Sequence, residues 1–432
     1  MSDKDNSLTL DVVKKAVAGR AAAFRCVTEY QPVGGPGDKV FPPTYQGGRY
    51  AEETRTINGE SIKCVLLDSV QSQANRMELA LLEAVRANRI QLPLMAVSFD
   101  QEGLGKTITV TSLEAPHRVA DAIFRDSLLK LTREELPKSR IGKILEKADA
   151  RNAAGLFQIC PTALLFGLWD STGPRGGLGA KFQRAIVSEI VGINAVAGVR
   201  PSSRLDPLGI QKRSGPVFRT ADNSWTLNPE EAVKVNGKPA LYGRTKKGEL
   251  VPYDPQKDQE LGNPSKINHG NIPPSLDNPD TRQPYPGGFT ISKATQITVL
   301  SLAALRRLRF PLDGAAPSDP EVDNKARTVL AALGLCAAAL NREEGGDLRS
   351  RCQLFPVQSF LWELLDTPGQ SHIEYRLDGT AAEQLFNDAL SEARKAGLPW
   401  DGKIELVPTD KLFQLVKRSQ DLVKEQTVGE DE

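Results

Sequence analysis

The sequence predicts an α+β fold. Residues 21–30 and 62–67 are short apolar runs bounded by polar or glycine-rich segments, which is typical of strands. From Val70 to Val85 the apolar residues recur with a period of 3.6, which is typical of an amphipathic helix. From residue 21 the chain therefore runs through a strand, a polar loop, a second strand and a helix. Its 432 residues allow two or three domains.

The remaining elements of the first half follow from local signals. A helix is expected over 8–20, and Asp68 or Ser69 can cap the helix that runs to about Asn88. Two strand-like runs around the turn at 101–105 predict a hairpin. In the same half of the chain we expect strands over 93–100 and 106–113, a helix over 117–132, and a β-branched stretch over 185–196.

The second half begins with a change of composition. Residues 200–286 hold 13 of the 29 prolines, which predicts an insertion of short strands and loops, partly mobile. Regular patterns resume at Thr290. Helices are expected around Ile297–Leu308, over 322–340 and over 380–396, and strands over 353–378 and 403–408.

The composition excludes several classes of protein. Lys plus Arg is 55 and Asp plus Glu is 54, so the chain has no overall basic field for nucleic acid, although a local basic groove stays possible. Five scattered cysteines without CxxC spacing argue against a disulfide framework and a zinc site. Three histidines, without HExxH or HxH, argue against most metal hydrolases and triad enzymes.

The sequence gives no sign of a membrane partner. The N-terminus is charged and lacks an apolar signal region, and the longest apolar stretch, 331–340, is too short to span a bilayer. We therefore expect a cytoplasmic protein.

A glycine-rich loop at 171–181 is the first candidate site. Thr172, Arg175 and Lys181 surround four glycines whose amides could approach phosphates closely. The spacing fits neither GxxxxGK[ST] nor GxGxxG, and the GLGKT run at 103–107 fits a hairpin turn better than a phosphate loop. A glycine-rich hairpin with a solvated basic tip is the other interpretation.

The helix start at 69–76 is the second candidate. Free N–H groups and the positive end of the helix dipole favour anions there. Ser72, Gln73, Asn75 and Arg76 could donate to phosphate and ribose oxygens. Plain capping of a solvated helix explains the same residues equally well.

The loop at 31–50 is the third candidate. Lys39 and Arg49 alternate with Tyr45, as phosphate-pairing and base-stacking side chains do in proteins that bind single strands. A packed Ω-loop is the alternative.

Several long motifs resemble one family. They are GGPGDKVFPPTY (34–45), CVLLDSVQSQANRMELALL (64–82), LEAPHRVADAIFRDS (113–127), LFGLWDSTGPRGGLGAKFQRAIVSEIVG (165–192) and SLAALRRLRFP (301–311). They resemble the backbone subunit of the type I-G (formerly I-U) CRISPR Cascade complex, a member of the RAMP superfamily. The resemblance covers about residues 20–410.

The resemblance implies a ferredoxin-like palm of the RNA-recognition-motif (RRM) type with inserted thumb and finger elements. Palm residues would be 1–199 and 287–424, the insertion at 200–286 would form the thumb or fingers, and 425–432 would be an acidic, disordered tail. The aromatic pair that stacks bases on such a sheet is not evident, so recognition would rest on phosphate and ribose.

The resemblance also implies a function without a reaction or cofactor. The subunit would bind guide crRNA, polymerise with other copies of itself and other Cascade subunits, and present the guide to target DNA. The residues that match this role are Lys39, Arg49, Ser72, Gln73, Asn75, Arg76, Thr172, Arg175 and Lys181.

Two enzymatic alternatives stay open. One is a metal-dependent RNA endonuclease of the same superfamily, for which Asp38 in the glycine-rich loop would be the catalytic aspartate. The other is an unrelated phosphate-binding enzyme built on the 171–181 loop.

Overall fold

The chain contains both helices and largely antiparallel sheets, which confirms the α+β class. The computed structural model describes residues 6–170, 180–245, 247–257, 260–277, 282–312 and 317–431. The chain divides into two compact units. The first comprises Met1–Val196 and Phe289–Leu415, and the second comprises Ala197–Gly288 and Val416–Glu432.

The helices of the described chain are α1 (Leu10–Ala18), α2 (Val70–Arg86), α3 (Ala122–Arg125), α4 (Arg140–Lys147), α5 (Ala154–Ile159), α6 (Thr162–Phe166), α7 (Leu302–Leu305), α8 (Pro320–Glu343), α9 (Gly379–Lys395) and α10 (Asp410–Asp431). Side-chain oxygens fix several of the starts, because they accept hydrogen bonds from the free amides of the first turn. Thr9 caps α1, Ser69 caps α2 and Asp378 caps α9.

The strands are β1 (Ala23–Pro32), β2 (Thr44–Tyr45), β3 (Arg49–Tyr50), β4 (Glu52–Ile57), β5 (Glu60–Asp68), β6 (Leu94–Phe99), β7 (Ile108–Thr111), β8 (Ser127–Leu129), β9 (Leu168–Trp169), β10 (Lys181–Phe182), β11 (Ile186–Ile193), β12 (Val196–Val199), β13 (Ser202–Arg204), β14 (Phe218–Arg219), β15 (Trp225–Thr226), β16 (Lys234–Val235), β17 (Lys238–Arg244), β18 (Leu250–Pro252), β19 (Ile272–Ser275), β20 (Pro286–Thr290), β21 (Lys293–Ser301), β22 (Gly346–Arg349), β23 (Cys352–Pro356), β24 (Trp362–Leu365), β25 (Ile373–Tyr375) and β26 (Lys403–Pro408).

The first unit is built on a nine-stranded sheet. Its order is β22-β23-β1-β21-β11-β5-β4, with β24 paired to β1 and β25 to β24. These neighbours pair antiparallel. Side chains therefore alternate between two faces: on β1, Phe24, Cys26 and Thr28 are buried, whereas Val27 is exposed.

Helices cover the buried face of this sheet. The middle of α8 from Val329 to Leu340 is buried throughout, because it packs against α1, α2 and α9 as well as β21. The alanine-rich sequence of this helix allows such close approach on all sides. The first unit also contains a four-stranded sheet of order β7-β6-β26-β8, in which β26 and β6 run parallel.

The second unit has a small core of its own. The strand order β15-β14-β17-β16, with β18 on β17, forms a five-stranded sheet. Phe218, Ala232 and Leu241 pack together beside it. The predicted insertion, 200–286, lies within this unit.

Two helix predictions were wrong. The segment 117–132 contains only a 3-10 turn at Arg118–Ala120 and the short α3, because the chain then enters strand β8, which pairs with β26. The segment around Ile297 is strand β21, whose alternate residues point to opposite faces, and only α7 at its end is helical.

Helix α10 is described as far as Asp431. The expected disorder of the tail, 425–432, stays a prediction. Across the described ranges, no helix combines the length and the apolar character that a bilayer crossing needs. The RRM-like palm stays a prediction.

Candidate nucleic-acid interface

The hairpin of β22 and β23 presents two arginines to solvent. Arg349 pairs with Cys352 across the strands, so Ser350 and Arg351 form the turn. Both arginines are exposed. Arg351 adopts a left-handed backbone with a φ of 60°, which is uncommon for a residue with a bulky side chain.

This hairpin holds the loop that follows β1. The Phe41 amide donates to the Arg351 carbonyl at 2.9 Å, and the Arg351 guanidinium lies 4.2 Å from the centroid of the Phe41 ring. Nη1 of Arg349 donates to the Pro42 carbonyl at 3.3 Å. The loop that carries Lys39 is thereby fixed beside both arginines.

The same hairpin holds the start of α2. Nη2 of Arg76 donates to the Leu348 carbonyl at 2.6 Å, and Nη1 donates to the Asp347 carbonyl at 3.5 Å. Nε of Arg76 donates to Oδ2 of Asp68 at 3.0 Å. About a third of the Arg76 side chain, 31%, stays exposed. Arg76 thus joins the helix to the hairpin and still faces solvent.

These contacts bring three segments distant in sequence to one place. We call their polar members the hairpin surface: Lys39, Asn75, Arg76, Arg349 and Arg351. The first turn of α2 contains no acidic residue, so its free amides add to the attraction for anions. The exposed acidic residues Asp38 and Asp347 lie beside this surface, which keeps its charge mixed.

Cys352 lies beneath the hairpin surface. Its thiol is buried, and burial raises its pKa to about 12, against the opposing effects of Arg349 and Arg76. A thiol with this pKa stays protonated near neutral pH. The residue contributes packing here rather than charge.

Arg49 lies on the neighbouring β2–β3 hairpin. It is exposed and pairs across the strands with Tyr45, which is also exposed. The adjacent Tyr50 packs edge-on against Phe289, with ring centroids 5.1 Å apart, and Phe289 in turn pairs with Val40. The predicted arginine and tyrosine are therefore available to a ligand on a loop whose base is anchored.

Gln73 was predicted to contact RNA, but its side chain lies inside the protein. Its side chain is buried, and its Nε2 donates to Oδ2 of Asp68 at 2.6 Å. Its Oε1 accepts from Oγ of Ser188 at 2.9 Å and from Nε2 of Gln296 at 2.8 Å. Because this amide is engaged on both ends inside the protein, we do not include it in the interface.

The bonds of Gln73 belong to a buried polar network between α2 and the sheet. Gln296 accepts from the Tyr30 hydroxyl at 2.7 Å, and Ser188 lies 3.0 Å from the Thr298 hydroxyl. Burial raises the pKa of Tyr30 to about 12. The network fixes the position of α2 on the sheet, and with it the orientation of Asn75 and Arg76.

The other predicted contact residues are distributed as follows. Ser72 is half-buried, and its amide donates to Oγ of the capping Ser69 at 3.2 Å. Thr172 and Arg175 lie outside the described residues. Lys181 lies on β10, where its Nζ is 5.4 Å from the ring centroid of Trp169 on β9.

Asp38, the alternative catalytic residue, is exposed in the loop before Lys39. Its Oδ1 accepts from the Lys39 amide at 2.9 Å. Within the described part of the chain, no group of three His, Cys, Asp or Glu residues is close enough to hold a metal ion.

The uncovered face of the nine-stranded sheet differs from the hairpin surface in its exposed residues. Its central strands expose Val27, Ile297 and Val187. Around them, Arg25 donates to Glu363 at 2.6 Å, Arg55 to Glu189 at 2.8 Å, and Lys293 to Glu29. Because these three cations are already paired with carboxylates, this face is poorly suited to phosphates.

Arg349 and Arg351 were missed at the sequence level. The signal was present in the run LRSRC (348–352), where two arginines flank a serine shortly after Gly345 and Gly346. Without knowledge of the strand pairing, nothing connects this run with a loop 310 residues earlier.

The first part of the chain matches a known family. Residues 24–197 match the family of CRISPR-associated protein GSU0053. The match supports a CRISPR-associated protein. None of the curated proteins matches the chain. The matched residues include the loop with Lys39, the whole of α2 and the β9–β10 stem, whereas the hairpin with Arg349 and Arg351 lies beyond them.

Proposed function

We propose that this CRISPR-associated protein is a non-enzymatic backbone subunit that binds guide RNA. It would be the backbone subunit of a type I-G Cascade complex, with an RRM-like palm of the RAMP superfamily. Copies would polymerise along the crRNA together with other Cascade subunits and present the guide to target DNA. The observation that carries the proposal is the hairpin surface, where three segments meet.

The chemistry of this surface suits a guide of any sequence. Arginine, lysine and asparagine donate to phosphate and ribose oxygens, which are the same in every nucleotide. Such contacts position a strand without selecting its bases. A subunit that accepts every spacer requires this kind of recognition.

A comparison of the nine-stranded sheet with the sheet of an RRM-type reader supports the same interpretation. An RRM-type reader stacks bases on aromatic residues of its open sheet face. Here the central strands present valine, isoleucine and paired charges. We therefore place the guide along the hairpin surface and the start of α2, with Arg49 as a further contact.

The test is purification of the full chain from cells that express a CRISPR array, followed by extraction of bound nucleic acid. The interface variant is Arg49→Ala/Arg349→Ala/Arg351→Gly. The matched control, Arg86→Ala/Arg133→Gly/Lys147→Ala, removes the same number of exposed charges elsewhere. We expect RNA of guide length on the wild type and the control, and none on the interface variant.

Other outcomes would overturn particular parts of the proposal. RNA on all three proteins would move the guide away from the hairpin surface. A monomeric wild type without RNA would contradict the backbone role. Metal-dependent cleavage of RNA at regular intervals, abolished by Asp38→Ala, would replace the scaffold by the nuclease alternative.

A further inference from the structure

An exposed tryptophan stands on a short two-stranded stem. In β9 and β10, Leu168 pairs with Phe182 and Trp169 pairs with Lys181. Leu168 and Phe182 are buried, whereas Trp169 is 62% exposed. The Asp170 amide extends the ladder by donating to the Ala180 carbonyl at 3.0 Å. The stem therefore turns its apolar pair inward and its indole outward.

A buried contact between Arg118 and Glu78 fixes the root of this stem. Arg118 donates to both carboxylate oxygens of Glu78, each at 2.6 Å, and its Nη1 donates to the Gly167 carbonyl at 3.0 Å. Gly167 adopts a left-handed φ of 89°, which lets the chain turn from α6 into β9. The position of Trp169 is thus tied to the middle of α2 by a rigid contact.

One cation lies against the indole: Nζ of Lys181 is 5.4 Å from its ring centroid. Two exposed arginines belong to neighbouring segments. Arg184 follows the end of β10 by two residues, and Arg307 donates to the Gln183 side chain at 3.3 Å. An aromatic ring with a cation beside it suits a ligand that has both a planar base and an anionic phosphate.

We infer that Trp169 is a stacking site for one base of single-stranded RNA, with Lys181 at the adjoining phosphate. This inference rests on the proposed RNA-binding function and adds a base-stacking subsite to it. Stacking on an aromatic ring tolerates any base, because every base has a π face. It therefore remains compatible with a guide of any sequence.

The test measures binding of the full chain to a 12-nucleotide single-stranded RNA at several salt concentrations. Trp169→Leu should weaken binding by about fivefold to about a hundredfold, the range typical of one lost stack. The dependence of affinity on salt should not change. Trp169→Phe should keep most of the affinity, and Lys181→Ala should lower the salt slope by about 0.7.

Two controls make the result specific. Trp225→Leu removes another exposed tryptophan, 41% exposed in the second unit, and should leave affinity unchanged. An RNA with abasic residues should bind the wild type and Trp169→Leu equally, because no base remains to stack.

The outcomes separate this inference from the proposed function. RNA binding that Trp169→Leu does not alter would overturn the stacking site and leave the guide-binding proposal intact. Loss of self-association instead of RNA affinity would make Trp169 a protein contact. Failure of the wild type to bind RNA would overturn both.

Discussion

The Arg351 guanidinium lies 4.2 Å from the centre of the Phe41 ring, although the two residues are 310 positions apart in the chain. The contact closes the hairpin surface, because it fixes the loop that carries Lys39 beside the turn that carries Arg349. It also leaves Arg351 exposed toward solvent, where a phosphate can reach it.

Replacement of Arg351 by glycine should weaken RNA binding while leaving the thermal stability of the protein nearly unchanged. Glycine adopts the left-handed φ of 60° without a steric penalty, which offsets the lost contact with Phe41. We expect Arg351→Gly to weaken RNA binding severalfold while the Tm stays within a few degrees. Arg133→Gly is the matched control, since Arg133 is exposed with a φ of 59°. Equal RNA affinity of the two variants would contradict the role of Arg351.

The salt dependence of RNA binding should report the contact of Arg49. Each phosphate contact to a single strand contributes about 0.7 to the slope of log K against log salt. Arg49→Ala should lower the slope by that amount and weaken binding to all sequences alike. Arg86→Ala, which removes an exposed arginine paired with Glu83, should leave the slope unchanged. Titrations from low to moderate salt decide between these outcomes.

Gln73 and Asn75 should behave oppositely, although they are two residues apart. Gln73→Ala removes the acceptor of one buried N–H of Gln296, at a cost of about 1–3 kcal/mol, whereas the Ser188 hydroxyl keeps Thr298 as a partner. We expect it to lower the free energy of unfolding measurably. Asn75→Ala changes an exposed side chain and should affect stability by less than about 0.5 kcal/mol while weakening RNA binding. Denaturant unfolding and RNA titration of both variants test the assignment.

The buried Glu78 should make stability depend on pH. Burial raises its pKa to about 7 from an ordinary 4.5, against the opposing effect of Arg118. Between these two values the folded state binds more protons than the unfolded state, so stability falls as pH rises. The loss from this group approaches about 3 kcal/mol above pH 7.

Glu78→Gln removes this titration and provides the comparison. The free energy of unfolding of the wild type should decline more steeply between pH 5 and pH 7.5 than that of the variant. Parallel curves for the two proteins would show that Glu78 does not titrate in this window. A variant that does not fold can be replaced by Arg118→Met, for which the decline should steepen because the opposing cation is gone.

Local sequence patterns were sufficient to predict several helices and strands. The 3.6 periodicity and the Ser69 cap predicted α2, and short apolar runs between polar or glycine-rich segments predicted β1 and β5. The segment around Ile297 misled the prediction, because its apolar spacing fits a helix as well as a strand. Pairing with β1 and β11 on both sides made it a strand.

The residues of the candidate site also divide into those that the sequence predicted and those that only the folded chain reveals. The sequence determined that Lys39, Arg49, Asn75 and Arg76 carry polar groups suited to phosphate, because residue chemistry and helix position are local properties. Only the tertiary structure decided that Gln73 is buried among Ser188 and Gln296, and that Arg349 and Arg351 complete the surface. Both outcomes depend on strand pairing and helix packing between distant segments, and the energy of those contacts exists only once the chain has folded.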